Sequence, residues 1–295
     1  MKKKTVSIML AATMALSLFA GCGSSKDTAT EDTGKTESTE TTDESSENAS
    51  AETTDESSRT TFTVGFDAEY PPYGYMDDDG EYTGFDLELA QAVCDKEGWE
   101  LVKKPINWDS KDMELNSGSI DCIWNGFTMN GREDEYTFSV PYVDNSQVIV
   151  VAENSGIEQL SDLAGKTVGV QAASAALDLL QSEDEGGQKA LADTFGSLNE
   201  FADYNTAFTE LQAGALDALA IDVGVAKYQL NSRGEGFKIL AETLNTEQYA
   251  IGFKKGNQEL CDIVNKDLQE LANEGKVAEL AEKYEIADMV TLKAE

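Results

Sequence analysis

The chain changes character at Thr61. Residues 24–60 are dominated by Ser, Thr, Asp, Glu and Ala, and they hold no aromatic residue and no Leu, Ile or Val. Such a stretch has nothing to bury, so it cannot offset the entropy cost of ordering its backbone. Its acidic side chains repel one another and keep it extended. A flexible chain of this length has a root-mean-square reach of about 35 Å. Residues 22–60 therefore read as a tether, and whatever folds begins at residue 61.

The segment before the tether reads as an address. Lys2, Lys3 and Lys4 are followed by an apolar run over residues 6–20, too short to span a bilayer comfortably. The run ends in Leu18-Phe19-Ala20-Gly21-Cys22. Small residues before a cysteine resemble a lipoprotein signal, with Phe19 where Leu is usual. Residues 1–21 are then a signal peptide, and Cys22 is the lipidation site, carrying palmitate-type acyl chains. One short acyl chain holds a membrane only marginally, and lipoprotein anchors carry more than one. The expected location is the extracellular face of the cell membrane.

Charge and composition narrow the function. There are 22 basic and 56 acidic residues, a formal net charge of -34. Phosphate binding needs clustered Lys and Arg, so nucleic acid is excluded as a partner. An acidic surface suits a soluble secreted domain. The chain has no histidine, which removes Ser–His and Cys–His catalysis and His-ligated zinc. Cys94, Cys122 and Cys261 have no CxxC spacing, so no metal site is expected. They read as small buried hydrophobes, and a single disulfide among them stays open. No cofactor is expected.

From residue 61 onward strand and helix signals alternate, which gives an α/β class. Phe62-Thr63-Val64-Gly65-Phe66 and Lys166-Thr167-Val168-Gly169-Val170 both read as strands. Leu115-Asn116-Ser117-Gly118-Ser119-Ile120-Asp121-Cys122-Ile123 resembles Leu211-Gln212-Ala213-Gly214-Ala215-Leu216-Asp217-Ala218-Leu219. Each is a helix end, a glycine stop and a strand. Two lobes of like construction follow. Phe85, Leu89 and Val93 mark an amphipathic helix, and residues 258–284 read as two helices broken near Gly275.

Gly84-Phe85-Asp86-Leu87-Glu88-Leu89-Ala90 resembles the signature of the family 3 solute-binding proteins of ABC amino-acid importers. Asp67-Ala68-Glu69-Tyr70-Pro71-Pro72-Tyr73, Gly126-Phe127-Thr128, Arg132, Phe138-Ser139-Val140-Pro141-Tyr142 and Leu163-Ala164-Gly165-Lys166-Thr167-Val168-Gly169-Val170-Gln171 agree with it in order. The resemblance spans residues 61–287. It implies a two-lobed periplasmic-binding-protein-like fold of type II, with the ligand in the interlobe cleft. Lobe one would comprise residues 61–145 and 246–295, and lobe two residues 146–245. Crossovers would lie near residues 144–148 and 245–250.

The same resemblance implies the site. An amino acid brings a carboxylate and an ammonium, and a dry cleft must pair both. Arg132 takes the carboxylate position, where a guanidinium fork matches two oxygens. Its loop is one residue shorter than usual. Ser174 and Ala175 open a helix beside it, with one hydroxyl fewer than the family pattern. Asp222, at the end of the apolar strand Leu219-Ala220-Ile221, matches the ammonium ligand, completed by Thr128 and the backbone of Gly126. Tyr70 and Trp108 flank the ligand side chain, and Trp124 stands either in that wall or in the core. Asp67 and Glu69 favour a cation, whereas Asn125 reads an amide equally well, so the ligand is stated only as a polar amino acid.

The expected function is capture of that amino acid by a monomer and its delivery to an ABC permease, without catalysis. A dehydratase of cyclic carboxylic acids and a sensor module are the competing readings.

Overall fold

A computed structural model describes residues 58–295. The expectations for the signal peptide, for Cys22 and for nearly all of the tether lie outside the described residues.

Lobe one begins with β1 (Thr61–Phe66), followed by a small antiparallel meander, β2 (Glu69–Tyr70), β3 (Gly74–Met76) and β4 (Tyr82–Thr83). Then come α1 (Phe85–Glu97) and β5 (Glu100–Pro105). A 3-10 turn at Trp108–Ser110 leads into α2 (Lys111–Asn116), and β6 (Cys122–Ile123) and β7 (Tyr136–Phe138) close this part. The long β8 (Val143–Ala152) carries the chain into lobe two. There β9 (Thr167–Gln171), α3 (Ala175–Gln181), α4 (Lys189–Ala192), β10 (Ser197–Phe201), α5 (Tyr204–Gln212), β11 (Ala218–Asp222), α6 (Val223–Arg233) and β12 (Phe237–Ile239) follow. The return runs through β13 (Asn245–Tyr249) to β14 (Gly252–Lys254), α7 (Gln258–Asn273) and α8 (Lys276–Lys283) in lobe one.

The lobe-one sheet has the order β5-β1-β6-β14-β7 and the lobe-two sheet the order β10-β9-β11-β8-β12, with β13 added to β8. In each, the first three strands are parallel and the next is antiparallel. Both faces of the lobe-two sheet are covered. Ile149, Val151, Ala218 and Ala220 pack on one side, Val148, Val150, Leu219 and Ile221 on the other. This is why β8 and β11 read as continuous apolar runs rather than alternating ones. Phe85, Leu89 and Val93 bury one stripe of α1 with Leu260, Val264 and Leu268 of α7 in the lobe-one core. Gly275 breaks α7 from α8 in a left-handed conformation. Cys94, Cys122 and Cys261 are buried free thiols.

The two sequence matches fold alike. Gly118 N–H donates to Leu115 O and Ser119 N–H to Glu114 O. In lobe two Gly214 N–H donates to Leu211 O and Ala215 N–H to Glu210 O. Both glycines are left-handed, φ 76° in each, so both helices end in the same Schellman motif. Beyond the stop, Asp121 Oδ2 accepts from Thr63 N–H at 2.7 Å and Asp217 Oδ2 from Thr167 N–H at 2.8 Å. The aspartate thus fixes each parallel strand pair at its start. A Cβ on Gly65 would stand 2.5 Å from Ile120 Cδ1, and one on Gly169 2.5 Å from Leu216 Cδ1.

Candidate functional site

β8 and β13 run antiparallel between the lobes, with Val143 opposite Tyr249, Asn145 opposite Glu247 and Gln147 opposite Asn245. A strand period of two turns Asn145 and Gln147 to the same face. β11 brings Asp222 opposite Gln147 from the other side. Asp222 Oδ1 therefore accepts from Asn145 Nδ2 at 2.8 Å, Gln147 Nε2 at 2.7 Å and the Tyr249 hydroxyl at 2.6 Å. Glu247 Oε1 accepts from the same two amides at 2.8 Å each and from Thr128 Oγ1 at 2.9 Å. Both carboxylates are buried, and neither forms an ion pair with Lys or Arg among the described residues. Burial and the charge of Asp222 push the Glu247 carboxyl up toward its protonated form. The pair makes a negative corner that a small cation complements.

Aromatic rings line the crevice. The Tyr70 hydroxyl lies 3.3 Å from that of Tyr249, and the Tyr70 ring faces Trp108 at 6.5 Å with 9° between the planes. Tyr73 meets Tyr249 edge-on and Tyr204 tilts against Tyr70. Gly126 passes beneath at φ 56°, where a Cβ would come within 2.9 Å of Tyr249 Cε2 and 3.0 Å of Tyr70 Cε1. Only glycine gives both that backbone and that clearance. Its N–H donates to Asp86 Oδ2 at 2.6 Å, and burial pushes the Asp86 carboxyl up to about 7. Asn125, beside it, accepts from Asp67 N–H at 2.7 Å.

Arg132 stands on the loop after Thr128, its guanidinium 5.1 Å from the Phe127 ring centre. Nη1 donates to Thr128 O at 3.4 Å and Nη2 reaches across the cleft to Asp178 Oδ2 on α3 at 2.7 Å. The arginine side chain is 12% exposed and the aspartate 62%. Ser174 caps α3: its Oγ accepts from Leu177 N–H at 3.2 Å and donates to Gln171 O at 2.7 Å. Its hydroxyl is thus engaged within its own turn. Ala175, the first residue of α3, lines a cavity with Thr128, Arg132, Asp178 and Glu247. Ala173, just before the cap, is left-handed at φ 53°, and its carbonyl accepts from Lys111 Nζ in lobe one at 3.2 Å.

The lobes are closed on one another. Gln171 Nε2 donates to Asp67 Oδ2 at 2.7 Å, Asn205 bonds Glu69, and Lys227 pairs with Asp288 at 2.9 Å. Asp67 is buried, which pushes its carboxyl up to about 6.

The structure gathers Tyr70, Trp108, Asn125, Gly126, Thr128, Arg132 and Asp67 from lobe one around Ser174, Ala175 and Asp222 from lobe two. It also resolves one alternative: Trp124 is a core residue packed against Tyr142, not part of the wall. Glu69 bonds Asn205 across the cleft. Sequence reasoning missed Asn145, Gln147, Glu247 and Tyr249, although all lie in or beside the segments it marked as crossovers. It also missed Gln171 and Lys111 as cleft residues.

Residues 62–287 match the profile of the bacterial extracellular solute-binding proteins, family 3. The chain belongs to that family. The curated relatives it matches are named as binding proteins, not as enzymes, which favours binding over the dehydratase reading. The L-cystine-binding protein TcyJ of Escherichia coli is 30% identical over 234 residues, covering 78% of this chain and 85% of its own length. The arginine-binding extracellular protein ArtP of Bacillus subtilis is 32% identical over 225 residues, 75% of this chain and 84% of ArtP. Among solved structures, an ABC uptake transporter substrate-binding protein from Streptococcus pneumoniae with bound histidine matches with a TM-score of 0.74. It is 34% identical and covers 78% of this chain and 94% of that one.

Proposed function

We propose that this protein captures a polar amino acid between its lobes and hands it to the permease of an ABC importer. One observation carries the reading. Thr128 joins opposite charges: its carbonyl accepts from Arg132 while its hydroxyl donates to Glu247, the partner of Asp222. A cation and a carboxylate pair held on either side of one residue match an α-amino acid, whose own two charges flank one carbon.

In this reading the ligand carboxylate takes the Arg132 fork in competition with Asp178. The ammonium enters the corner of Asp222 and Glu247, beside Thr128 and Gly126. Tyr70 and Trp108 flank the side chain, Asp67 and Asn125 stand beyond it, and Ser174 and Ala175 form the lobe-two edge. The ligands in the relatives' names, cystine, arginine and histidine, are all polar amino acids, which supports the class. A monomer tethered by lipid on Cys22 at the extracellular face of the cell membrane would present the closed form to the permease. No cofactor takes part.

A thermal-shift screen against the common amino acids tests the reading. A ligand bound only by the folded state stabilises it by about 2.7 kcal/mol at a hundred times its dissociation constant. If no amino acid raises the melting temperature, the proposal fails.

A further inference from the structure

Four amide N–H bonds close a ring at the hinge. Asn145 Nδ2 and Gln147 Nε2 each donate to both Asp222 Oδ1 and Glu247 Oε1, at 2.7–2.8 Å. The Tyr249 hydroxyl adds a third bond to Asp222 Oδ1 at 2.6 Å, and Thr128 Oγ1 a third to Glu247 Oε1 at 2.9 Å. Each carboxyl group therefore spends one oxygen on the protein. The other Glu247 oxygen, Oε2, meets the Asn245 amide at 3.4 Å, a far weaker hold.

Two like charges share such a ring only at a cost. Asp222 is 3% exposed and Glu247 5%, and neither has a Lys or Arg partner among the described residues. Their surroundings do not supply one. A cavity bordered by Glu247 also holds Asp144 and Asp288, and a second holds Arg132, Asp178, Asp184 and Glu185. Arg132 is taken by Asp178 at 2.7 Å, and Lys227 by Asp288 at 2.9 Å. Tyr73, Tyr204 and Tyr249 face the pair as neutral hydroxyls, which burial keeps protonated. One proton on the pair relieves the repulsion, and burial, then the charge of Asp222, favour it on Glu247. With Oε1 filled by three donors, the place for that proton is Oε2.

An ammonium offers three donors and no acceptor. The lone pairs that Glu247 has left for it are on the same Oε2, where a hydroxyl would meet it donor to donor. Given the amino-acid reading above, the proton and the ligand ammonium compete for one atom. We infer that Glu247 exchanges its proton for the ligand: Oε2–H is formed in the empty crevice, and the entering ammonium breaks that bond and takes its place. The proton goes to solvent, and the amino acid keeps all three of its own on nitrogen. Capture therefore releases a proton and weakens in acid. An adjacent opposite charge favours an ionised carboxyl by a factor of about 10–1000, and affinity should change with pH by a factor in that range.

Titration calorimetry of the whole chain with L-arginine, L-glutamine and L-serine, in buffers of different ionisation enthalpy from about pH 5 to about pH 9, counts the protons released. Wild type should release up to one proton per amino acid bound, and its affinity should climb at least about tenfold across that span before levelling. Glu247→Gln should lose both the release and the climb, and bind at every pH with the acid-limit affinity of wild type. Asp67 and Asp86, also raised by burial, are intact in both proteins, so the difference belongs to Glu247. Binding without proton release, or equal release from the variant, overturns the inference and leaves amino-acid capture standing. If none of the three binds, ligand-free melting curves decide. A carboxyl protonated in the native state and ionised in the unfolded chain loses its stabilising contribution as pH rises. Wild type should then lose melting temperature relative to Glu247→Gln over the same span, and parallel curves overturn the inference.

Discussion

Lobe one and lobe two share a frame and differ in what they hang on it. Thr63 with Asp121 and Thr167 with Asp217 pin the same strand pair, and Gly118 and Gly214 end the preceding helix in the same way. The lobes part where their first strands end. After β1 the chain turns through the meander of β2, β3 and β4, which sets Asp67, Tyr70 and Tyr73 along the cleft. After β9 it passes Gln171 and Ala173 and enters α3 at once. Lobe one therefore supplies most of the aromatic wall, Arg132 and Lys111, and lobe two supplies Tyr204, Asp222 and the turn of Gln171 and Ala173. A repeated scaffold keeps its strand geometry and varies its strand-end loops, where binding chemistry is placed most freely.

This asymmetry can be broken by mutation. Arg132→Ala should weaken amino-acid binding by about 2–5 kcal/mol, because the ligand carboxylate loses its partner. Its lobe-two counterpart Asp178→Ala should leave affinity equal or tighter, since Asp178 competes for the same fork. Calorimetry showing the reverse pattern would move the chemistry to lobe two. The shared frame makes a matching claim. Gly65→Ala and Gly169→Ala should each cost about 1–3 kcal/mol in denaturant unfolding, by similar amounts, because each crowds one aliphatic side chain.

The pH response is next in size. Burial raises Asp67 from its usual 3.8 to about 6, so the native state holds that proton more tightly than the unfolded chain. Its stabilising contribution is complete below the unfolded value and is lost as pH rises through about 6. The ligand-free melting temperature should fall over that window, with Asp67 contributing a change on the order of 3 kcal/mol; Asp86 and Glu247, also raised by burial, add to the fall, so Asp67→Asn should remove only the Asp67 share. The smallest effect belongs to lobe two alone. Its helices α3 and α5 carry side-chain caps, from Ser174 and Asp203, whereas α1 and α2 of lobe one carry none. Ser174→Ala should cost about 1 kcal/mol of stability.

Local pattern made much of this legible. The i, i+4 stripe of Phe85, Leu89 and Val93, the break at Gly275 and the paired glycine stops need only short windows of sequence. Asp222 stood out as a carboxylate closing an apolar strand, and its expected role came from the family resemblance. Lys111 was not, since Asp109-Ser110-Lys111-Asp112 reads as a hydrated helix start and only the facing turn at Ala173 buries it. Glu247 sits among Asn245, Thr246 and Gln248, a polar run whose partner strand lies about a hundred residues earlier. Asp178 likewise meets Arg132 from the opposite lobe. Charges that gain their meaning from the opposite lobe carry no local signature.

β8 belongs to two structures at once: residues 143–147 pair with β13, and residues 147–151 pair with β11. Gln147 is the residue common to both. The loop bearing Arg132 is stitched to the same axle, through the Thr128–Tyr249 bridge and the bond from Met129 N–H to Gln248 O. In mechanical terms, the pegs for the two charges are mounted on the spindle rather than on the jaws. Under the proposed amino-acid reading, their spacing acts as a fixed gauge, and a molecule with the wrong separation of charges finds no match to both pegs.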